Sequence, residues 1–308
     1  MTTRRGFLEA AAASCAGAAL TALPFVAGAK ESKDKLATQD LGGGLAFITG
    51  AGANVLAFGS AQGALLFDGG MRATSKALLQ LAPAAVGAKK VHTLVNTHWH
   101  PEQTGSNEAL GKQGARIIAH ENTRLWLARK SIVVDWAPKP FLALPKAALP
   151  NKSFYTTEAL DFGGQIIALG HLGQAHTDGD LYAYLPKANV LVAGGVVSSA
   201  GWPLMDWQTG GWIGGLVGAL DRLLKIANDG TKVVPADGPI IGRRELQSQR
   251  DMYFQIFDRL VKQLTKGMGP DEAYQSGPAR EFEAQWGDSK AFVLASFRSL
   301  WGHYAPDA

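Results

Sequence analysis

Apolar residues come in short bursts along this chain. Residues 45–49, 54–58 and 64–67 are runs such as Leu-Ala-Phe-Ile-Thr, separated by glycines, and they predict consecutive antiparallel strands. Residues 75–81 carry apolar side chains at Ala77, Leu78, Leu79 and Leu81, which predicts a short helix. A strand over 91–95 then runs into Asn96-Thr97-His98-Trp99-His100, followed by a helix over 107–112 and a strand over 115–119. Residues 131–152 hold four prolines and read as a loop insertion. Three further strands are predicted over 165–169, 181–185 and 190–193. The helical spacing of Leu216, Leu220, Leu223 and Leu224 predicts a helix over 212–226, and 232–235 reads as a strand. From Arg243 onward the pattern is helical, broken near 267–270 and 277–278. Two strand-rich halves with interspersed helices and no low-complexity linker predict one α/β domain over 30–245. A C-terminal helical extension over 246–308 is expected to pack on the same domain, through an apolar face that includes Met252, Phe257 and Leu260.

Composition changes this picture little. With 308 residues, 46% hydrophobic and 18% charged, the chain can bury a large core, and its 13 Phe, 8 Trp and 6 Tyr exclude a disordered protein. The formal charge of +4 is spread along the sequence without a Lys/Arg block, so no nucleic-acid partner is expected. Gly210-Gly211 and Gly214-Gly215 lack a preceding strand and a Lys-Ser/Thr, so they do not predict a phosphate loop.

The first residues read as an address. Arg4-Arg5-Gly6-Phe7-Leu8 precedes an uncharged stretch from Ala10 to Val26, and Ala27-Gly28-Ala29 offers a small-residue cleavage site. Residues 1–29 are therefore expected to be a twin-arginine-type signal peptide, sending the protein to the periplasm without stable membrane insertion. Cleavage would remove Cys15, the only cysteine, leaving no disulfide and no thiolate ligand. Any metal site must then be built from His, Asp and Glu.

The histidines stand at 92, 98, 100, 120, 171, 176 and 303. His98 and His100, two apart at the end of an apolar strand, leave an extended chain on one side, where two imidazoles can close on a cation. His176 precedes another strand in His176-Thr177-Asp178-Gly179-Asp180. Three imidazoles leave a fourth tetrahedral position for water, as a catalytic zinc requires. By itself the His-x-His pair reads more readily as two surface histidines near a turn. His92 and His120 are expected to be structural, and Asp180 to hold the ligand loop by hydrogen bonds. Trp99, Trp202, Trp207 and Trp212 are read either as walls of the site or as ordinary core.

The run Thr97-His98-Trp99-His100-Pro101-Glu102-Gln103-Thr104-Gly105 resembles the Thr-His-x-His-x-Asp-His-x-Gly-Gly signature of the metallo-β-lactamase superfamily. His176-Thr177-Asp178-Gly179-Asp180, Val190 to Gly195 and Val234 to Pro239 resemble that family's next motifs, in the same order. The resemblance implies an αβ/βα four-layer sandwich with a metal site along one edge. It implies His98, His100 and His176 as ligands of the first metal, and a brace for the ligand loop at Asp68. The second-metal ligands are nearly all changed: the family's Asp is Glu102, its following His is Gln103, its bridging Asp is Gly195 and its last His is Asp237. One zinc per chain is therefore expected, with any second ion weak and oxygen-ligated. Glu102 and Asp237 are the candidate catalytic groups, orienting water or relaying a proton; Glu102 reads equally as a partner fixing a ligand histidine, and Asp237 as a turn cap. A cation on three imidazoles lowers the pKa of a coordinated water towards about 7. The expected function is an exported zinc hydrolase that uses such water to cleave an ester, lactone, amide or β-lactam-like bond in a small-molecule substrate. The alternative is an idle member of the fold that binds a small molecule or a partner protein.

Overall fold

The computed structural model describes residues 35–304, so the twin-arginine segment lies outside the described residues. Four strands, β1 (Ala37–Gly42), β2 (Leu45–Thr49), β3 (Val55–Ser60) and β4 (Gly63–Phe67), form an antiparallel meander. Helix α1 (Ser75–Ala85) crosses over to β5 (Val91–Val95), which pairs parallel to β4. The short helices α2 (Pro101–Thr104) and α3 (Asn107–Lys112) lead to β6 (Arg116–His120), and α4 (Glu121–Ala128) follows. A small hairpin of β7 (Ser131–Ile132) and β8 (Phe141–Leu142) fills the proline-rich insertion. Its last residues lead into β9 (Lys152–Phe154), which closes a seven-stranded sheet beside β6.

A second sheet has the order β10 (Thr157–Phe162), β11 (Gln165–His171), β12 (Leu181–Leu185), β13 (Val190–Ser198), β14 (Lys232–Asp237). Its pairings are antiparallel except for β13 with β14, which are joined by α5 (Ile213–Ile226) and run parallel. After β14 come α6 (Arg243–Thr265), α7 (Pro270–Gln275), α8 (Glu283–Trp286) and α9 (Lys290–Tyr304).

Burial explains the layering. Phe47, Phe58 and Phe67 from the first sheet meet Phe162, Ile167 and Val192 from the second in one core between the sheets. Leu78 and Ala82 of α1 cover the outer face of the first sheet with Leu110 of α3. Leu216, Leu220 and Leu223 of α5 cover the second, and Tyr253, Ile256 and Leu260 of α6 and Phe292, Val293 and Phe297 of α9 join that same cluster. The result is the expected αβ/βα sandwich. β13 is buried along its whole length, as a strand between helices and a second sheet must be. The loops that follow β4, β5 and β13, together with the loop between β11 and β12, carry the site. No helix among the described residues is long and apolar enough to cross a membrane.

Candidate metal centre

β5 ends at Val95, and the histidines lie just past it, in the turn that opens α2. His100 is the N-cap of α2 with an extended backbone (φ −60°, ψ 155°), and Pro101 fills the first helical position. The histidines thus meet through a turn, where the sequence predicted an extended chain. Their rings still come together: the His98, His100 and His176 centroids are 4.6 to 4.8 Å apart. One nitrogen from each lies within 4.8 Å of the others, and all three residues are buried.

The opposite nitrogens are held from behind. Thr97 donates its Oγ1–H to Asp68 Oδ2 (2.8 Å) and its amide N–H to Asp68 Oδ1 (2.7 Å). Its hydroxyl oxygen therefore accepts from His98 Nδ1–H at 3.1 Å, which leaves His98 Nε2 with a lone pair and no protein partner. Asp68 sits at φ 67°, where short polar side chains are tolerated, and burial pushes its carboxyl up to about 8 against the pull of the two Thr97 donors. Its bracing role matches the one the family resemblance implied. Asp206 is fully buried and accepts from His100 Nε2 at 2.9 Å, leaving His100 Nδ1 buried and unpartnered. His176 turns its Nδ1 towards Asp180, 3.5 Å away. Asp180 Oδ2 also accepts the backbone N–H of His176 (2.6 Å) and Thr177 (2.7 Å), so it pins the loop as expected.

Burial, then the neighbouring imidazoles, holds His98 and His100 well below the usual histidine range, so both are neutral. Burial lowers His176 too, but the nearby Asp180 carboxylate and the charges of Asp206 and Glu102 raise it on balance. Buried imidazole nitrogens converging on one point, two of them on neutral rings with a partner fixed behind each, are what a metal ion asks of its ligands. The three histidines fit a single cation.

Glu102 and Asp237 occupy different places. Glu102 Oε1 is 3.7 Å from His100 Nδ1, so its carboxylate stands at the open nitrogen rather than behind the ring. Burial, together with the charges of Asp206 and Asp237, raises its pKa, with His176 opposing. The group behind His100 is instead Asp206, which no sequence motif signalled. It comes from the segment between β13 and α5, 106 positions away, and Thr209 Oγ1 donates to the same carboxylate oxygen. Asp237 lies exposed at the end of β14, where its backbone oxygen accepts from Ser199 N (3.0 Å). Gln103 is wholly buried, and its amide has no protein partner.

The tryptophans divide between the two readings. Trp99 is buried beside His100 (ring centroids 4.7 Å) and donates to Thr209 Oγ1 at 3.0 Å. Trp202 stacks on Phe292, and Trp212 on His303, so both belong to the helical layer. The ring that joins Trp99 at His100 is Trp136 (4.9 Å), from the proline-rich insertion. The neighbouring Asp135 accepts from Arg298 Nη1 (3.1 Å) and Trp207 Nε1 (3.3 Å), which ties that insertion to α9. His120 and His171 stack on each other at 3.7 Å, outside the metal cluster.

The sequence model of the metallo-beta-lactamase superfamily matches residues 48–238. No curated protein matches the chain at a significant level. Among solved structures, a metallo-beta-lactamase from Pontibacter korlensis is 22% identical with a TM-score of 0.58, over 71% of this chain and 99% of that one. One from Hirschia baltica is 18% identical with a TM-score of 0.57, over 71% and 97%. A double mutant of the sec-alkyl sulfatase PisA1 is 18% identical with a TM-score of 0.65, and its match covers 89% of this chain but 51% of that one.

Proposed function

The chain belongs to the metallo-beta-lactamase superfamily, and on that premise we propose that it is a metal-dependent hydrolase that holds one zinc ion on His98, His100 and His176. The observation that carries this reading is the converging set of buried imidazole nitrogens with Thr97 and Asp206 fixed behind two of the rings. When bound, the ion supplies Lewis acidity and an activated water at neutral pH. Everything else falls to the chain. Thr97 and Asp206 hold the tautomers of His98 and His100, and Asp180 holds the His176 loop. Glu102, at the open side of His100, orients a water and takes its proton, and its raised pKa brings it nearer to a base's working range. Asp237, exposed at the end of β14, is the candidate group for passing that proton to solvent. Trp99 and Trp136 exclude water from one side of His100.

The substrate in this reading is a small molecule with an ester, lactone, amide or β-lactam-like bond. The resemblance to the sec-alkyl sulfatase adds an alkyl sulfate ester to the substrates to be tested. Export by the twin-arginine route to the periplasm is part of the same proposal, supported by Arg4-Arg5 and the uncharged stretch behind them. The test is elemental mass spectrometry of protein purified without added metal or chelator, alongside His98→Ala, followed by assays with a chromogenic ester, a lactone, a cephalosporin and an alkyl sulfate. About one zinc per chain, lost in His98→Ala together with turnover, is the expected result. Absence of metal even after zinc is offered would overturn the hydrolase. Zinc without turnover of any substrate would favour the binding protein that Gln103 and Gly195, two lost ligand positions, also fit.

A further inference from the structure

On the side of β13 and α5, the His176 loop is walled by glycines. Gly195 on β13, and Gly211 and Gly215 around the start of α5, face its loop. None of the three has a left-handed backbone, so another residue could adopt the conformation, and what glycine provides here is closeness. A Cβ at position 195 would overlap the His176 ring, 2.6 Å from Cε1 and 2.9 Å from Cγ. At position 211 it would lie 2.8 Å from the His176 carbonyl carbon and 2.9 Å from the Asp206 oxygen. At position 215 it would overlap the Gln174 carbonyl oxygen. Backbone hydrogen bonds seat the loop on the same segment: Trp212 N–H donates to Ala175 O (2.9 Å) and Asp178 N–H to Thr209 O (3.0 Å). Gly218, one turn further along α5, has nothing within 4 Å of its would-be Cβ, so the approach that Gly215 makes to the ligand loop is not shared by that position.

Gly195 also stands where the family resemblance has the bridging carboxylate of a second metal. The residues present do not supply that second ion's full set. Of its four positions only Glu102 and Asp237 keep a carboxylate; position 195 has no side chain, position 103 offers a neutral amide, and the His176 ring fills the room that a carboxylate at 195 would need. We infer that the Gly195–His176 contact positions the third imidazole and closes the centre to a second metal, so that Gly195 is a positioning residue for a one-metal site. This rests on the three-histidine reading above for its metal half; the packing half stands without any metal.

A double-mutant cycle on metal-free protein tests the packing. Gly195→Ala should lower the thermal midpoint in the wild-type background and leave it unchanged when His176 is already Ala, because the overlapping ring is gone. Equal shifts in both backgrounds would overturn the contact, whereas folding of the double variant where Gly195→Ala alone fails to fold would support it. Cobalt titration tests the metal half. Wild type and Gly218→Ala should bind one ion per chain, Gly195→Ala should lose about tenfold or more in affinity with an altered visible spectrum, and Gly195→Asp should gain no second ion. Two ions on the wild type or on Gly195→Asp would overturn the closure, and unchanged affinity and spectrum in Gly195→Ala would overturn the positioning role. No cobalt on the wild type would defeat the metal half along with the hydrolase reading, while the cycle would still judge the packing.

Discussion

At the scale of the residue, Asp206 makes the sharpest difference between a histidine and a ligand. An imidazole binds a cation through one nitrogen only if its other nitrogen keeps the proton, and the Asp206 carboxylate holds that proton on His100 Nε2 at 2.9 Å. Asp206→Ala should therefore weaken zinc binding by roughly 10- to 100-fold while the three ligands remain in place. Competition with a chromophoric chelator measures this, and an unchanged affinity would show that His100 needs no orienting partner. His98, His100 and His176 were legible in the sequence because each sits in a local run with fixed neighbours. Asp206 was not, since nothing near it in sequence repeats or alternates, and its partner lies 106 positions away. The same holds for the wall around His100. Trp136 comes from an insertion whose prolines mark a loop, and its ring lies at His100 packed on Trp99 and Phe141, with Asp135 beside it tied to Arg298 and Trp207.

Elements were legible in proportion to their burial. The strands over 91–95 and 181–185 and the helix over 107–112 match β5, β12 and α3 at both ends, and α5 begins one residue after its predicted start. β1, β10 and α4 went unread. β1 lies at the sheet edge with five of its six residues exposed, and β10, also an edge strand, buries only Leu160 and Phe162. Such strands are held by pairing with a neighbour, and pairing leaves little trace in a hydrophobic pattern. α4 is only eight residues long and takes its start from His120, whose Nδ1 accepts the Asn122 N–H as an N-cap, a role that histidine seldom advertises. Within α5, glycine serves two purposes that sequence alone cannot separate. Gly215 is pressed against Gln174, whereas Gly218 is exposed and meets nothing. Gly218→Ala should thus stabilise the protein by about 0.5–1 kcal/mol, the usual gain from restricting a helical glycine. Chemical denaturation of the metal-free protein measures it; a loss of stability would mean that position 218 carries a contact in the folded molecule.

At the scale of the whole molecule, the two sheets meet at a pair of histidines as well as at the apolar core. His120 ends β6 of the first sheet and His171 ends β11 of the second, and their rings stack at 3.7 Å with planes 11° apart. Each is tied by its Nε2 to a backbone oxygen, that of Tyr155 for His120 and that of Asp178 for His171, both at 2.9 Å. Burial, then the facing His171 ring, pushes His120 down to about 4, with the Tyr155 carbonyl, Glu121 and Asp180 opposing. Burial lowers His171 as well. An unfolded histidine titrates near 6.5, so as pH falls from about 6.5 towards 4 the unfolded chain takes up protons that the folded pair refuses. The stability contributed by the neutral pair is complete above about pH 6.5 and declines below it. The slope is at most about 1.4 kcal/mol per pH unit for each proton. His120→Asn keeps an acceptor for the Asn122 N–H and removes one titrating ring from the seam. Its thermal midpoint, whatever its value at pH 7.5, should fall less between pH 7.5 and 5.0 than that of the wild type. An equal fall in both proteins would place the acid sensitivity in other groups, the buried His98 and His100 or the carboxylates, and leave the stacked histidines as packing alone.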